Sequence, residues 1–218
     1  MIAMKKSSLL LSLILLMIGT LAATAPAPTA AGTPTQPAEE IYLGLGEATP
    51  GENGWIVSDY IIHVISPADT LVNGSPIQNG RFTVTSDGRH AVKLQPGPSG
   101  QKNTVTQFIN IDKTAPTVKW TTEQNLAVSG WADLSAEIAD ETSGLCSVDS
   151  SFDHGLHWDT HNLAALTPDG VTIQHETTWS LHRNFHGFLP LGAQVVLLRA
   201  HDCAGNVSPG EVLVIRVQ

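Results

Sequence analysis

Basic charge is scarce in this chain, cysteine nearly absent, and long hydrophobic runs are confined to one place. Eleven lysines and arginines stand against twenty aspartates and glutamates, a net charge of −9 with histidines neutral. A surface of that sign repels phosphate backbones and anionic headgroups, which argues against nucleic acid and anionic lipid as partners. Cysteine occurs only at Cys146 and Cys203, so one intramolecular disulfide is the most the chain can form. No stretch of a dozen residues holds a helical apolar period free of glycine or proline, and the best attempt, LSAEIADETSG, is too short. A phosphate loop is missing too, because Gly44-Leu45-Gly46 lacks the third glycine and the helix that should follow.

The single long apolar run is N-terminal. MIAMKKSSLLLSLILLMIGTLAATA places Lys5 and Lys6 before an apolar stretch from Leu9 to Ile18, broken by Ser12 and followed by small residues. That pattern reads as a secretory signal peptide over 1–23, too short for the roughly 20 residues a membrane span needs. Cleavage is placed after Ala23, since a cut after Ala25 would leave Pro26 at the scissile bond. TAPAPTAAGTPTQPAEE, residues 24–40, is rich in Pro, Thr and Ala and cannot bury enough surface to offset ordering, so a disordered linker is expected there. The mature protein is expected to be exported, extracellular or at the cell surface, and not integral to a membrane. In that oxidising setting a Cys146–Cys203 disulfide is the default.

Strand signals dominate what remains. DYIIHVI, GRFTVTS, HAVKL, AQVVLLRA and EVLVIRV are punctuated by Asn53-Gly54, Asn73-Gly74, Asn79-Gly80, Asp87-Gly88 and Asp169-Gly170, which predicts an all-β fold with frequent hairpins. The chain also repeats itself: NGWIVSDYIIHV from Asn53 aligns with SGWADLSAEIAD from Ser129, and DGRHAVKL and TQFINID align with LGAQVVLL and EVLVIRV. Such internal similarity predicts two copies of one unit, 41–115 and 116–218, with Pro116 stiffening the joint. In the second copy Leu134, Ala136 and Ile138 alternate with Ser135 and Glu137, the pattern of a half-buried strand. The aligned Trp55 and Trp131 are expected in the cores. Two antiparallel β-sandwiches follow.

Four motifs carry a family resemblance: GENGW from Gly51, IDKTAP from Ile111, DETSG from Asp140 and LPLGAQVVLLRAHDCAGN from Leu189. Together they resemble tandem bacterial immunoglobulin-like, fibronectin-III-like repeats of exported surface proteins. The first copy lacks DETSG and DCAGN, is shorter, and without a cross-link is expected to be the less stable half. The resemblance implies tandem immunoglobulin-like sandwiches with DCAGN as the hairpin joining the last two strands. In that topology DETSG and DCAGN share a pole, which brings Cys146 to Cys203.

HDCAGN, residues 201–206, sets an imidazole, a carboxyl and a thiol side by side. Neighbours on a strand point to opposite faces, so they cannot act together on one reactant. A turn accounts for them better: Asp202 accepts backbone N–H bonds, and Gly205 and Asn206 tolerate positive φ. DHGLHWDTH holds His154, His157 and His161, weak metal candidates whose spacing suits a helix that Gly155 opposes. Trp158 and Trp179 lie among polar residues and, if exposed, would stack on a sugar ring. These readings converge on a non-enzymatic interaction or spacer module with a protein or polysaccharide partner and no cofactor. A carbohydrate-binding module is the alternative, and a histidine-dependent metal protein the third.

Overall fold

The structure is a computed structural model that describes residues 42–43, 46–65, 70–77, 79–95, 104–167 and 170–218. The expected signal peptide and linker lie outside the described residues. All regular structure among those residues is β. Strands β1 (Tyr42–Leu43), β2 (Tyr60–Ile65), β3 (Leu71–Val72), β4 (Ser75–Pro76), β5 (Arg81–Val84), β6 (Gly88–Gln95) and β7 (Val105–Ile111) form sheets ordered β1-β2-β5 and β4-β3-β6-β7. Then come β8 (Thr117–Trp120), β9 (Leu126–Val128), β10 (Trp131–Ala139), β11 (Leu145–Ser151), β12 (Asp159–Asn162), β13 (Ala165–Thr167), β14 (Gly170–Thr172), β15 (Glu176–Asn184), β16 (Gly192–Asp202) and β17 (Glu211–Val217). These give sheets β15-β10-β8 and β12-β11-β16-β17-β9 and the small pair β13-β14.

LSAEIADETSG, too short for a helix, contributes most of its length to β10. Alternation decides which side of β10 is dry. Leu134, Ala136 and Ile138 are buried and meet Val148, Val196, Leu198, Ala200, Leu213 and Ile215 from the opposite sheet in one cluster. A second cluster, built on Ile62, Val64, Val72, Val84, Val92, Leu94, Ile109 and Ile111, fills the space between the first two sheets. Each cluster is a sandwich core, sheet on sheet, and both lie within one compact unit, Ala38–Gln218.

Two of the segments that align in sequence form similar antiparallel hairpins. The hairpin β6–β7 joins Gly88 to Ile111 as β16–β17 joins Gly192 to Val217. The turn at Asn73-Gly74 links β3 to β4 with φ of 49° and 83°, the doubly left-handed geometry that a two-residue hairpin loop requires and that Asn-Gly adopts at low cost. Equivalence fails at the tryptophans. Trp55 is buried, whereas Trp131 is 66% exposed, because it opens β10 in the same phase as Asp133 and Glu137, on the outward face.

Candidate functional site

HDCAGN turns the chain from β16 to β17. His201 ends the outward-facing row of β16 and Asp202 the inward one. The Asp202 carboxylate then closes the loop on itself: its Oδ1 accepts from Ala204 N at 2.9 Å and Asn206 N at 2.8 Å, and its Oδ2 from Asn206 Nδ2 at 2.7 Å. Gly205 takes φ of 96°. Cys203 is bonded to Cys146. The pairing between β11 and β16 slips by one residue between Leu145 and Ser147, so Cys146 is the extra residue of a bulge, displaced from the ladder at the point where it meets Cys203. Cys203 N donates to Gly144 O at 2.8 Å, which ties the two loops together beside the disulfide. No free thiol exists among the described residues.

Two further aspartates converge on the same pole. Asp140 Oδ1 accepts from Thr142 N at 3.2 Å and Gly144 N at 2.6 Å, an arrangement that depends on Gly144 at φ +79°, where a Cβ would fall 2.1 Å from Ile173 Cγ2. Asp112, from the IDKTAP joint, accepts from Thr114 N at 3.1 Å through Oδ1 and from Ser143 N at 2.9 Å through Oδ2. Carboxylate oxygens of Asp112, Asp140 and Asp202 all lie within 4.8 Å of one another, and all three residues are buried. Burial pushes the Asp140 carboxyl above the ordinary carboxylate range, opposed by the Gly144 N–H and reinforced by the neighbouring Asp112. Burial likewise raises Asp202, against the hydrogen bonds from Asn206. Converging backbone N–H groups offset charge that burial and mutual repulsion disfavour. The result is a clasp of hard oxygen atoms.

The clasp reaches across to the first sandwich. Asn206 Nδ2 donates to Asp112 O at 3.0 Å, Glu52 N to Ala204 O at 2.8 Å, and Asn53 Nδ2 to Cys203 O at 2.9 Å. A Cβ on Gly51 would stand 2.4 Å from Ala204 O, so the GENGW loop packs with no room for a side chain there. Part of this pole is therefore covered by the chain itself.

The histidines of DHGLHWDTH do not converge. His154 sits in a turn at φ 62°, His157 pairs through Nδ1 with Asp153, and His161 is exposed on β12. Two hydrogen bonds from His157, from its backbone N–H and then its ring, with a third from Ser151, hold the Asp153 carboxyl down to about 2. Among the described residues, only Asp112, Asp140 and Asp202 form a His/Cys/Asp/Glu group close enough to share an ion.

Of the two tryptophans proposed for sugar stacking, Trp179 is not free to do so. Trp179 is 6% exposed because it faces Ala136 across β10–β15 and packs edge-on against Trp120. Trp158 is half-buried, with the Arg199 guanidinium 4.1 Å from its ring centroid.

Beneath Trp158 lies a polar network that sequence spacing does not reveal. Asp149, with a side chain 5% exposed, receives Arg199 Nε and Nη2, each at 2.9 Å, and His201 Nε2 at 2.8 Å on Oδ2, and Thr160 Oγ1 at 2.7 Å on Oδ1. Burial alone would raise this carboxyl, but the bonds from Thr160, His201 and Arg199 together hold it below its ordinary value. These donors satisfy the carboxylate within the sheet. A second constellation without a sequence motif stands on the other sheet: the Trp131 indole stacks on His182, centroids 5.0 Å apart at 13°, and His182 Nδ1 lies 2.6 Å from Asp133 Oδ1.

No family model and no curated protein matches this chain. Solved structures do. The chain is similar to fibronectin(III)-like modules of Clostridium thermocellum CbhA, at 14% identity over 81% of this chain and 94% of that one, with TM-score 0.35. It is similar to the sialic acid binding region of a Streptococcus sanguinis SK1 adhesin bound to 3'sLn, at 18% identity over 70% of this chain and 38% of that one, with TM-score 0.35. A chimeric titin Z1Z2-Z1Z2 tandem matches at 11% identity over 82% and 97%, with TM-score 0.27. No helix among the described residues is long and apolar enough to cross a membrane.

Proposed function

We propose that the chain is an exported, non-enzymatic module in which two immunoglobulin-like sandwiches, 41–115 and 116–218, are clasped into a stiff spacer that presents its remaining surfaces to a protein or polysaccharide. The supporting observation is the set of bonds that Glu52 and Asn53 donate to the Cys203–Asn206 turn and that Asp112 O accepts from it. A flexible tandem has no use for buried carboxylates at its joint; a spacer that must hold its length does. The carboxylates at this joint are engaged by structural N–H groups, and no thiol is free to act as a nucleophile.

Stiffness is measurable. Backbone nitrogen-15 relaxation is expected to return one common rotational tensor for both sandwiches. In an Asn53→Ala, Asn206→Ala variant, which removes the Asn53 Nδ2 bond to Cys203 O and the Asn206 Nδ2 bond to Asp112 O, the two halves are expected to tumble with separate, shorter correlation times. Independent tumbling in the unmodified protein would refute the spacer reading.

A further inference from the structure

The outward face of β15-β10-β8 is a polar surface with one large exception. Position by position, β10 presents Trp131, Asp133, Ser135 and Glu137, while β15 presents Asn184, His182, Ser180 and Thr178 directly opposite. Trp131 is the one exposed large hydrophobic residue on these three strands. Its orientation is fixed twice: His182 covers one face of the indole, and Asp133 pins His182. With one face covered and the residue still 66% exposed, the other face is open to solvent. Asp133 meets His182 through Oδ1, and with its side chain 77% exposed its Oδ2 has no partner among the described residues. Asn184, across the ladder from Trp131, has its amide set by accepting from His186 N at 3.1 Å.

We propose that Trp131, Asp133, His182 and Asn184 form a binding platform for a neutral pyranose with equatorial hydroxyls, one ring of a β-linked glucan. A pyranose of that configuration has an apolar face of axial C–H groups, which suits an open indole, and a rim of hydroxyls, which suits a carboxylate and an amide at its edge. A pre-set indole loses little conformational entropy on binding. Charge selects among sugars: Asp133 and Glu137 on this face and a net charge of −9 disfavour acidic saccharides. A protein partner fits less well. One indole among serines, threonines and a Lys119–Glu137 pair does not supply the apolar centre of a standard protein interface, which buries roughly 800 Å² on each side. The platform lies away from the clasped joint and does not depend on the spacer reading.

The test is a titration of the folded, nitrogen-15-labelled protein with cellohexaose, following the five tryptophan indole N–H signals. The Trp131 signal is expected to shift saturably with a millimolar Kd, as suits a single platform, and polygalacturonate to leave it unmoved. Trp131→Ala is expected to weaken binding at least about tenfold, the usual effect of losing a central tryptophan, with Trp131→Phe intermediate and Tm unchanged in both. Three results would each overturn the proposal: no shift at Trp131 in millimolar cellohexaose, unchanged affinity in Trp131→Ala, or a Trp131 signal that moves with protein concentration alone, showing that a second copy covers the indole.

Discussion

Replacing both cysteines, as Cys146→Ala with Cys203→Ala, is expected to lower the unfolding free energy by about 4 kcal/mol, the chain-entropy value for a loop of this size. The bond spans a sequence separation of 57 residues and encloses nearly all of β11 and the whole of β12, β13, β14, β15 and β16. It therefore removes freedom from the unfolded chain over half of the second sandwich. The loss should appear as a lower guanidinium midpoint with a steeper slope, because the uncrosslinked denatured chain exposes more surface, and as a fall in Tm of roughly 15 to 30 °C. Reduction of the unmodified protein should reproduce it. A loss below about 1 kcal/mol would show that the two loops stay together in the denatured ensemble without the crosslink, and that chain entropy is the wrong account. The first sandwich should respond as well, because Asn53 and Glu52 bond to the carbonyls of Cys203 and Ala204.

Much of this architecture was legible from alternation and turn residues. The four Asn-Gly and Asp-Gly pairs from Asn53 to Gly88, the parity of Leu134, Ala136 and Ile138, and the sequence likeness of hairpin β6–β7 to hairpin β16–β17 are local signals, set by backbone sterics and a period of two, whereas Asp169 lies outside the described residues. Apolar character misleads where it is weighed without parity. Trp131 shares its phase with Ser135 and Glu137, so the alternation that placed Leu134 inside also placed this tryptophan outside. Trp179 is the opposite case: its polar neighbours Thr178 and Ser180 are the outward residues of the same strand, so it faces in. The Asp149 network and the Asp112–Asp140–Asp202 cluster had no such signal. Their members are separated by up to 90 positions in the chain, and only the register between β11 and β16 or the closing of the joint brings them together.

The clasp makes opposite demands on its carboxylates, and substitutions should separate them. Asp202→Ala strips the acceptor from Asn206 N and Asn206 Nδ2, while Ala204 N keeps Ser143 Oγ at 3.1 Å, and is expected to cost about 2 kcal/mol at neutral pH, since a buried donor left unpaired costs roughly 1–3 kcal/mol. Asp140→Asn keeps an oxygen for Thr142 N and Gly144 N while removing a charge. Its sign follows from linkage. Asp140 and Asp202 both have folded pKa values above the ordinary 3.8, so the native state holds their protons more tightly than the unfolded chain. The stability they contribute is fully present below the unfolded value and is lost as pH rises through the folded one. Asp149, held low, acts the other way: its contribution is present above the unfolded value and lost as pH falls through the folded one. At neutral pH an ionised Asp140 therefore works against folding, and Asp140→Asn is expected to raise the urea midpoint there. As pH falls towards about 4 the unmodified protein should regain what the variant already has, so the two should converge. Should Asp140→Asn destabilise the protein at neutral pH as strongly as Asp202→Ala, the charge itself, and not only its oxygen atoms, would be holding the joint closed.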